Sequence, residues 1–273
     1  MKTDIFIPDM KTKLSENHIW LWYKNISHEL KLGLFSIPEI KYIGSNLYYK
    51  EASLLKKWRR PYVKKHFSDN FNCICDFLLS DNNSLNILDL GCGYGSESLL
   101  MAMKGLNITA ISLDEIALNI FKKRLNFYQE RVSYELKIST HLINAFDFDY
   151  SSISPIDGLF SLFAFNNMQP CENILELMSP HFSKRCKVAL LDGNAHSIWP
   201  LLFPSRRRDY LTPKQVVSKL NELGFDKREL LGGIVLPPFV WAFGNNEILF
   251  KINKYLSKYL FLSASYLLLA EKR

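Results

Sequence analysis

The chain after residue 84 alternates short apolar runs with amphipathic stretches. Apolar runs typical of buried strands occupy residues 85–90, 108–113, about 140–144, 156–162, 188–192, 229–234 and 266–271. Apolar residues recur at helical spacing in residues 96–104 and 115–129. A further helix is predicted to follow Thr212, a good N-cap residue, and to end at Gly224. Strands that alternate with helices predict an α/β fold, in which helices cover both faces of a mostly parallel sheet.

Residues 1–84 differ from the rest of the chain because they are rich in aromatic residues and lysine and have helical spacing. Within this segment, Pro61 predicts a kink or a restart of a helix. The polar residues 80–84 predict a linker. We therefore expect an N-terminal helical segment, residues 1–84, followed by a larger domain, residues 85–273.

The composition indicates a globular protein with a substantial core. Hydrophobic residues make up 48% of the 273 residues and charged residues 22%, which excludes a disordered or fibrous chain. The five cysteines show no disulfide pattern, and Cys73 and Cys75 are too close to form a zinc pair alone, so no metal site is expected. A secretory signal is not expected, because the first ten residues lack a basic segment followed by an apolar run. No spanning helix is expected either, because no apolar run approaches about 18 residues. The cytoplasm is therefore the expected location.

The net charge of +7 is moderate and unevenly placed. One basic cluster contains Lys56, Lys57, Arg59, Arg60, Lys64 and Lys65, and a second contains Arg206, Arg207 and Arg208. Solvated faces or ion pairs explain such clusters more simply than a specific anion site does. The charge permits contact with RNA or with an anionic membrane surface, but neither partner is favoured.

An acidic residue and three alternate glycines stand at the end of the first apolar run, in the sequence Ile87-Leu88-Asp89-Leu90-Gly91-Cys92-Gly93-Tyr94-Gly95. Glycine allows a sharp turn and lets a ligand approach the backbone, and the helix that follows begins with free N–H groups. A dinucleotide fingerprint needs its third glycine at the sixth position, where this chain has Ser96. Asp89 would also repel a pyrophosphate. These features favour S-adenosylmethionine, which carries ammonium and sulfonium groups, over a nicotinamide dinucleotide.

The segment from Asp89 to Gly95 resembles the first motif of the class I S-adenosylmethionine-dependent methyltransferases, and later segments extend the resemblance over about residues 85–271. The resemblance implies a Rossmann-like, doubly wound, seven-stranded sheet that is mostly parallel, with its last strand antiparallel at the sheet edge. It also implies S-adenosylmethionine as the cofactor. Gly91, Gly93 and Gly95 would lie against the methionine half of the cofactor, and Asp89 would lie near its ammonium, partly through water.

The resemblance implies further cofactor contacts at the ends of the next three strands. The residues concerned are Ser112, Leu113, Asp114, Asn144, Ala145, Phe146 and Phe163. The family usually has an acidic residue that binds the ribose at the position of Ser112. Either Ser112 makes a weaker hydrogen bond, or Asp114 reaches back from the next turn; Asp114 is equally well explained as a helix cap. The amide of Asn144 can pair with the adenine edge.

The family has no universal catalytic residue, because methyl transfer depends mainly on alignment and the exclusion of water. Candidates near the expected active face are Asn166, Asn167, Asp192, His196 and Tyr210, of which we select His196, Asn166 and Tyr210 as catalytic. His196 follows the fifth strand in a loop that usually reaches the substrate. A polar loop residue without a catalytic role explains His196 slightly better.

Residues 235–263 form an insertion that in this fold typically covers the substrate pocket, with the N-terminal helices as a lid on the other side. Its aromatic and proline-rich composition indicates a small, largely apolar metabolite, methylated on O, N or C. One helical face of the insertion contains Ile248, Leu249, Ile252, Tyr255, Leu256 and Tyr259, and the other contains Lys251, Lys254 and Lys258. Packing of the apolar face on the core is favoured over a role at a membrane surface.

Two other functions stay open at this point. The basic clusters would allow an RNA or protein methyltransferase. The chain would alternatively be a non-catalytic protein that binds S-adenosylmethionine or a lipid surface. A DNA substrate is not expected, because residues 161–164 do not resemble the Asn/Asp-Pro-Pro-aromatic motif of adenine methyltransferases.

Overall fold

A seven-stranded sheet forms the centre of the molecule. The computed structural model describes residues 5–45, 59–80, 85–198, 210–233, 235–236, 240 and 246–273. The strands are β1 (Asn86–Leu90), β2 (Asn107–Ser112), β3 (Ile138–Leu142), β4 (Ile156–Leu162), β5 (Phe182–Gly193), β6 (Phe225–Gly232) and β7 (Ser265–Lys272). Their order across the sheet is β3-β2-β1-β4-β5-β7-β6.

The strands β1 to β5 are parallel, whereas β7 pairs antiparallel with both β5 and β6. The expected mostly parallel, seven-stranded sheet with an antiparallel last strand is confirmed. The expected edge position of that strand is wrong, since β7 lies between β5 and β6. The side chains explain the order: Tyr266 to Ala270 are buried, as a central strand requires, whereas Lys227 and Arg228 on β6 are exposed, as suits an edge.

Eight helices are described, together with short 3₁₀ turns. They are α1 (Glu16–Lys31), α2 (Ile37–Ser45), α3 (Arg59–Leu78), α4 (Ser96–Met103), α5 (Glu115–Gln129), α6 (Cys171–Met178), α7 (Pro213–Glu222) and α8 (Asn246–Leu256). Thr212 caps α7 as expected, in a reciprocal pair with Gln215. Pro61 lies in the first turn of α3, where a missing N–H breaks no helical hydrogen bond, so the helix continues past it.

Two apolar layers cover the two faces of the sheet. On one face, side chains of α1, α3, α4 and α5, such as Trp22 and Phe71, pack with Phe160 and Leu267. On the other face, α6 and α7 pack with strand residues that include Leu159. The described part of residues 1–84 is therefore built into the core of the sheet domain; its role as a lid stays a prediction. None of the helices in the described ranges is both long and apolar enough to cross a membrane.

A buried ion pair fastens α1 and α5 to the turn that follows β1. The guanidinium of Arg124 donates from Nε to Glu29 Oε2 at 2.8 Å and from Nη2 to Glu29 Oε1 at 3.1 Å. Its Nη1 donates to the carbonyl of Tyr94 at 2.8 Å and to Ser96 Oγ at 2.7 Å. Both charged side chains are inaccessible to water. Helices α1 and α5 thus hold the turn that carries the three glycines.

Further donors complete this network. The Tyr128 hydroxyl donates to Glu29 Oε1 at 2.5 Å, and the indole N–H of Trp22 donates to the carbonyl of Ser96 at 2.7 Å. Since a buried charge is tolerated only when its partners are in place, removal of one member leaves the other charge uncompensated.

We expect Arg124→Met to lower the free energy of unfolding by about 3–5 kcal/mol, because the Glu29 carboxylate then stays buried without its cation. The double variant Glu29→Gln, Arg124→Met should lose less than the sum of the two single variants, since no unpaired charge remains. Urea unfolding followed by circular dichroism measures these energies.

Lys122→Met is the matched control. Lys122 lies on the same helix as Arg124, but it is exposed. Changes at exposed side chains usually alter stability by about 0.5 kcal/mol or less, so the control should be nearly neutral. If the double variant loses as much free energy of unfolding as the two single variants together, Glu29 and Arg124 are not coupled and the prediction is contradicted.

Candidate functional site

The three alternate glycines form a left-handed turn between β1 and α4. Gly91, Gly93 and Gly95 have φ of 81°, 51° and 69°. A Cβ at Gly91 would lie 2.2 Å from Ala164 Cβ, and one at Gly95 would lie 2.2 Å from the ring of Phe121. A Cβ at Gly93 would meet nothing within 4 Å. Packing therefore requires glycine at the outer two positions, whereas Gly93 faces open space.

Two adjoining cavities lie at this turn, at the carboxyl ends of the parallel strands. The smaller has a volume of about 300 Å³ and is lined by Asp89, Gly91, Cys92, Gly93, Tyr94, Glu97, Phe160, Leu162, Phe163 and Ala164. The larger has a volume of about 570 Å³; its lining includes Tyr42, Gly91, Gly93, Tyr94, Ser112, Leu113, Asp114, Asn144, Ala145, Phe146, Ala164 and Asn167. Of the predicted cofactor residues, Gly95 alone lines neither cavity, and its place beside Phe121 explains why.

Two carboxyl groups stand at the wall of the smaller cavity. Asp89 accepts a hydrogen bond from Ser98 Oγ at 2.5 Å, and Glu97 accepts one from the Tyr23 hydroxyl at 2.7 Å. Burial raises the pKa of Asp89 well above its usual range, and the nearby Glu97 raises it further. Burial also raises the pKa of Glu97. A cation in the cavity would lower the pKa of both groups, because a positive charge stabilises their ionised forms.

Ser112 and Asp114 line the larger cavity at the end of β2. Asp114 caps α5, since its Oδ1 accepts from the Ala117 N–H at 3.0 Å, and it also accepts from the Tyr42 hydroxyl. Ser112 Oγ accepts from the Asp114 N–H at 3.0 Å, which leaves the hydroxyl proton of Ser112 to donate in another direction. The cap that was expected for Asp114 is therefore formed, while its carboxylate still borders the cavity.

The turn after β3 supplies Asn144, Ala145 and Phe146. Asn144 Oδ1 accepts from the Phe146 N–H at 3.1 Å, an arrangement that fixes the turn. Strand β3 ends at Leu142, two residues before the expected end, and so Asn144 lies in this turn at the cavity wall rather than inside the strand.

Phe163 has the unusual φ of 55°, although it is not glycine. It follows β4, donates from its N–H to the carbonyl of Leu191 at 2.7 Å, and packs its ring 5.7 Å from that of Phe67. Such strained backbone is concentrated at functional sites. Here it turns the chain so that Ala164 meets the glycine turn and Phe163 lines the smaller cavity.

The three residues selected as catalytic have different surroundings. His196 lies exposed in the loop after β5. Asn166 is buried, donates to the Gly193 carbonyl at 3.1 Å, and lines neither cavity. Tyr210 donates to Asn167 Oδ1 at 2.8 Å, and Asn167 lines the larger cavity. Of the three, Tyr210 is thus connected to the cavity by one hydrogen bond.

Asp192, a further candidate, is buried at the end of β5. It accepts from the N–H groups of Asn166 at 2.8 Å and Gly193 at 2.6 Å. Burial raises the pKa of Asp192 to about 6, despite these two donors. Its bonds hold the loops after β4 and β5 together.

Tyr42 and Glu97 are two of the residues at the cavity walls that sequence patterns missed. Tyr42 comes from α2, and no local motif connects it with Asp114, 72 positions later. Glu97 stands two residues after the last glycine, so an acidic residue in the first helical turn was an available signal.

The side chains of the two basic clusters lie outside the described residues. Lys56, Lys57 and Arg206 to Arg208 lie outside the described residues, as do the side chains of Arg59, Arg60, Lys64 and Lys65. Among the described residues, no group of three or more His, Cys, Asp or Glu could hold a metal ion.

No model of a protein family and no curated protein matches the chain. Solved structures do match the chain. A magnesium protoporphyrin IX methyltransferase from Synechocystis PCC 6803 with bound SAH has a TM-score of 0.58 at 12% identity, over 92% of this chain and 100% of that chain. The plantazolicin methyltransferase BpumL, in complex with a pentazolic desmethylPZN analog and SAH, has a TM-score of 0.51 at 15% identity, over 96% and 100%.

A third structure, a SAM-dependent methyltransferase from Aquifex aeolicus, has a TM-score of 0.51 at 14% identity, over 84% of this chain and 100% of that chain. These identities are low, so the likeness is one of three-dimensional structure. It agrees with the resemblance carried by the residues from Asp89 to Gly95. The chain therefore has the fold of the S-adenosylmethionine-dependent methyltransferases.

Proposed function

We propose that the chain binds S-adenosylmethionine in the two cavities at the glycine turn and transfers its methyl group to a small molecule. The observation that carries this proposal is a pair of carboxyl groups, buried Asp89 and half-buried Glu97, at the wall of the smaller cavity. They lie beside a turn in which Gly93 faces open space. The structural neighbours that bind SAH or SAM support it.

The charge of the smaller cavity discriminates between ligands. A pyrophosphate beside Asp89 and Glu97 would add negative charge to a wall that already disfavours it. An ammonium or a sulfonium beside the same side chains would offset their desolvation. The methionine half of the cofactor therefore belongs in the smaller cavity, against Gly91 and Gly93.

The larger cavity is suited to the adenosine half. Ser112 offers a hydroxyl donor and Asp114 a carboxylate acceptor for the ribose hydroxyls, in place of the acidic residue that the family usually has at Ser112. Asn144 offers amide groups to the adenine edge, with Ala145 and Phe146 as apolar neighbours. Leu113, which is 70% exposed, would be covered by the base.

S-adenosylmethionine supplies an electrophilic methyl group on a sulfonium. The chain contributes alignment and a dry site, which together can supply on the order of 7–11 kcal/mol. Phe160, Leu162 and Phe163 form the apolar wall beside the glycine turn and exclude water there.

The acceptor is a small molecule in this proposal, and its apolar character stays a prediction, as does the cytoplasmic location. The named substrates of two neighbours, a magnesium protoporphyrin and plantazolicin, support a small-molecule acceptor. Tyr210 is the best placed of the three catalytic candidates, because its hydroxyl reaches the cavity through Asn167. His196 and Asn166 stay proposals without a contact to either cavity.

We expect Gly93→Asp to abolish binding of S-adenosylhomocysteine and methyl transfer, because the side chain would enter the ligand space and place a carboxylate there. Calorimetry measures binding, and labelled methyl groups from S-adenosylmethionine, offered with a metabolite extract, report transfer. Label recovered in RNA or protein instead would redirect the acceptor to a macromolecule.

Gly224→Asp is the matched control for this experiment. Gly224 also has a positive φ, of 85°, and open space around a Cβ, but it ends α7 and lines neither cavity. The control carries the same backbone strain of about 1–3 kcal/mol and should bind normally. Binding of a nicotinamide dinucleotide in place of S-adenosylhomocysteine, or equal binding by both variants, would overturn the proposal.

The affinity for S-adenosylmethionine should fall as the pH is lowered. Because burial raises the pKa of Asp89 and of Glu97 in the free protein, both groups keep their protons at a pH at which exposed carboxyls are ionised. A cation binds the ionised forms, so binding below these pKa values releases protons and is weakened, and it levels off once both groups are ionised.

Calorimetry from about pH 5 to about pH 8 in two buffers of different ionisation enthalpy counts the protons released. Glu97→Gln should remove part of the pH dependence. Adenosine, which lacks the charged methionine half, should bind with the same affinity at every pH. An affinity for the cation that does not change with pH would contradict the electrostatic argument.

A further inference from the structure

Helix α8 and the turns that follow it expose an apolar stripe to solvent. Ile248, Ile252, Tyr255 and Tyr259 are 56%, 42%, 60% and 46% exposed, and Phe261, in the next turn, is 50% exposed. The expectation that this face packs on the core holds for Leu249, which contacts the core together with Phe250. It is wrong for Ile248, Ile252, Tyr255 and Tyr259, which are exposed.

Polar contacts fix the rotation of the helix. Asn253 is buried, and its Oδ1 accepts from the N–H groups of Val235 at 3.0 Å and Leu236 at 2.9 Å. Its Nδ2 donates to the Gly233 carbonyl at 3.3 Å, and the carbonyl of Ser257 accepts from the Gly232 N–H at 3.0 Å. Since an amide prefers such partners to apolar ones, the face with Asn253 points inward and the stripe points outward.

The stripe is aliphatic at its start and aromatic at its end. The rings of Tyr255 and Tyr259 are 6.4 Å apart, as are those of Tyr259 and Phe261, and both pairs meet edge to face. The ammonium of Lys258 lies 5.5 Å from the ring of Tyr255. Tyrosine combines an apolar ring with a polar hydroxyl, which suits it to the boundary between water and hydrocarbon.

A column of lysines accompanies the stripe. Lys251, Lys254 and Lys258 are all exposed. At 3.6 residues per turn, Lys251 and Lys254 project from the flank next to Ile248, and Lys258 lies in the turn that follows the helix. Glu247 is the sole acidic residue among residues 246–263 of the sequence, so the segment has a net charge of +2.

We propose that the stripe on α8 docks on an anionic lipid membrane surface. The aliphatic and aromatic side chains would enter the boundary of the acyl region, and the lysines would lie at the negative headgroups. A second copy of the chain covers the stripe less well, because it brings the same lysines into the contact. The negative charge of the lipid surface complements them.

The docking surface lies at the same edge of the sheet as the two cavities. Strand β6 is antiparallel to β7, which is antiparallel to β5, so β6 ends at the carboxyl edge of the parallel strands. Helix α8 follows that end of β6, after Gly232. Membrane docking and ligand binding therefore share one edge of the molecule, although the docking argument does not depend on the proposed function.

Co-sedimentation of the full chain with lipid vesicles, without cofactor, tests the proposal. The chain should sediment with vesicles of phosphatidylcholine and phosphatidylglycerol in equal parts and not with phosphatidylcholine alone. Neutralisation by Lys251→Gln, Lys254→Gln and Lys258→Gln together should lower the partition coefficient at least about tenfold. Tyr255→Ser with Tyr259→Ser should lower it as well, and added salt should weaken the binding.

Matched controls use exposed residues elsewhere. Lys24, Lys122 and Lys214 are exposed lysines of α1, α5 and α7, and Leu32 is 48% exposed. Neutralising these three lysines together, or changing Leu32→Ser, should leave vesicle binding within about twofold, because at distant sites they alter only the weak, screened field of the protein. Circular dichroism confirms that each variant is folded.

Binding that is absent, that is equal for neutral vesicles, or that survives the α8 substitutions would overturn the proposal. Dimers that light scattering detects without lipid, and that the α8 substitutions abolish, would assign the stripe to a second copy of the chain and also overturn it. Because no cofactor is present, a failure of the methyltransferase proposal leaves these outcomes unchanged.

Discussion

A buried guanidinium connects three parts of the molecule that are far apart in the sequence. Arg124 of α5 binds the carboxylate of Glu29 on α1 and the carbonyl of Tyr94 in the glycine turn. A charge shielded from water must be surrounded by acceptors, so none of the three parts can shift without leaving it unsatisfied. The glycine turn is held by α1 and α5 as well as by the strand that precedes it, and its other side faces the cavities. The N-terminal helix therefore supports the cavity wall.

In the proposed function, the charge of the side chains at the glycine turn determines which ligand binds there. A glycine turn between a strand and a helix presents N–H groups, and such turns often bind phosphates. Here Asp89 and Glu97 add two carboxyl groups at the same place, and their burial is unfavourable while no cation is present. A ligand with a positive charge offsets that cost, whereas an anion increases it. In the proposed function, the backbone of the turn offers N–H groups to a nucleotide, and the two carboxyl groups favour a nucleotide that carries a positive charge.

Local patterns predicted most of the fold, because the elements concerned are coded by adjacent residues. The glycine turn and the cap at Thr212 are examples, and the helix Glu115–Gln129 has the expected bounds. Features that depend on distant partners were not predictable. The contact of Tyr42 with Asp114 needs the packing of α2 on α5. The place of β7 between β5 and β6 depends on pairing with strands that are distant in the sequence.

Helix α8 shows why a helical pattern does not determine which face is buried. The expected apolar face contains Ile248, Ile252 and Tyr255, which are exposed, together with Leu249, which packs on the core. Hydrophobic spacing alone does not distinguish these residues. The protein instead buries the side with Asn253, because the amide of this residue satisfies three backbone groups of the chain that leaves β6. Those groups would otherwise be unpaired inside the protein, a cost of about 1–3 kcal/mol each. Burial of the stripe against this protein's own core would forfeit these bonds, so its apolar surface stays exposed.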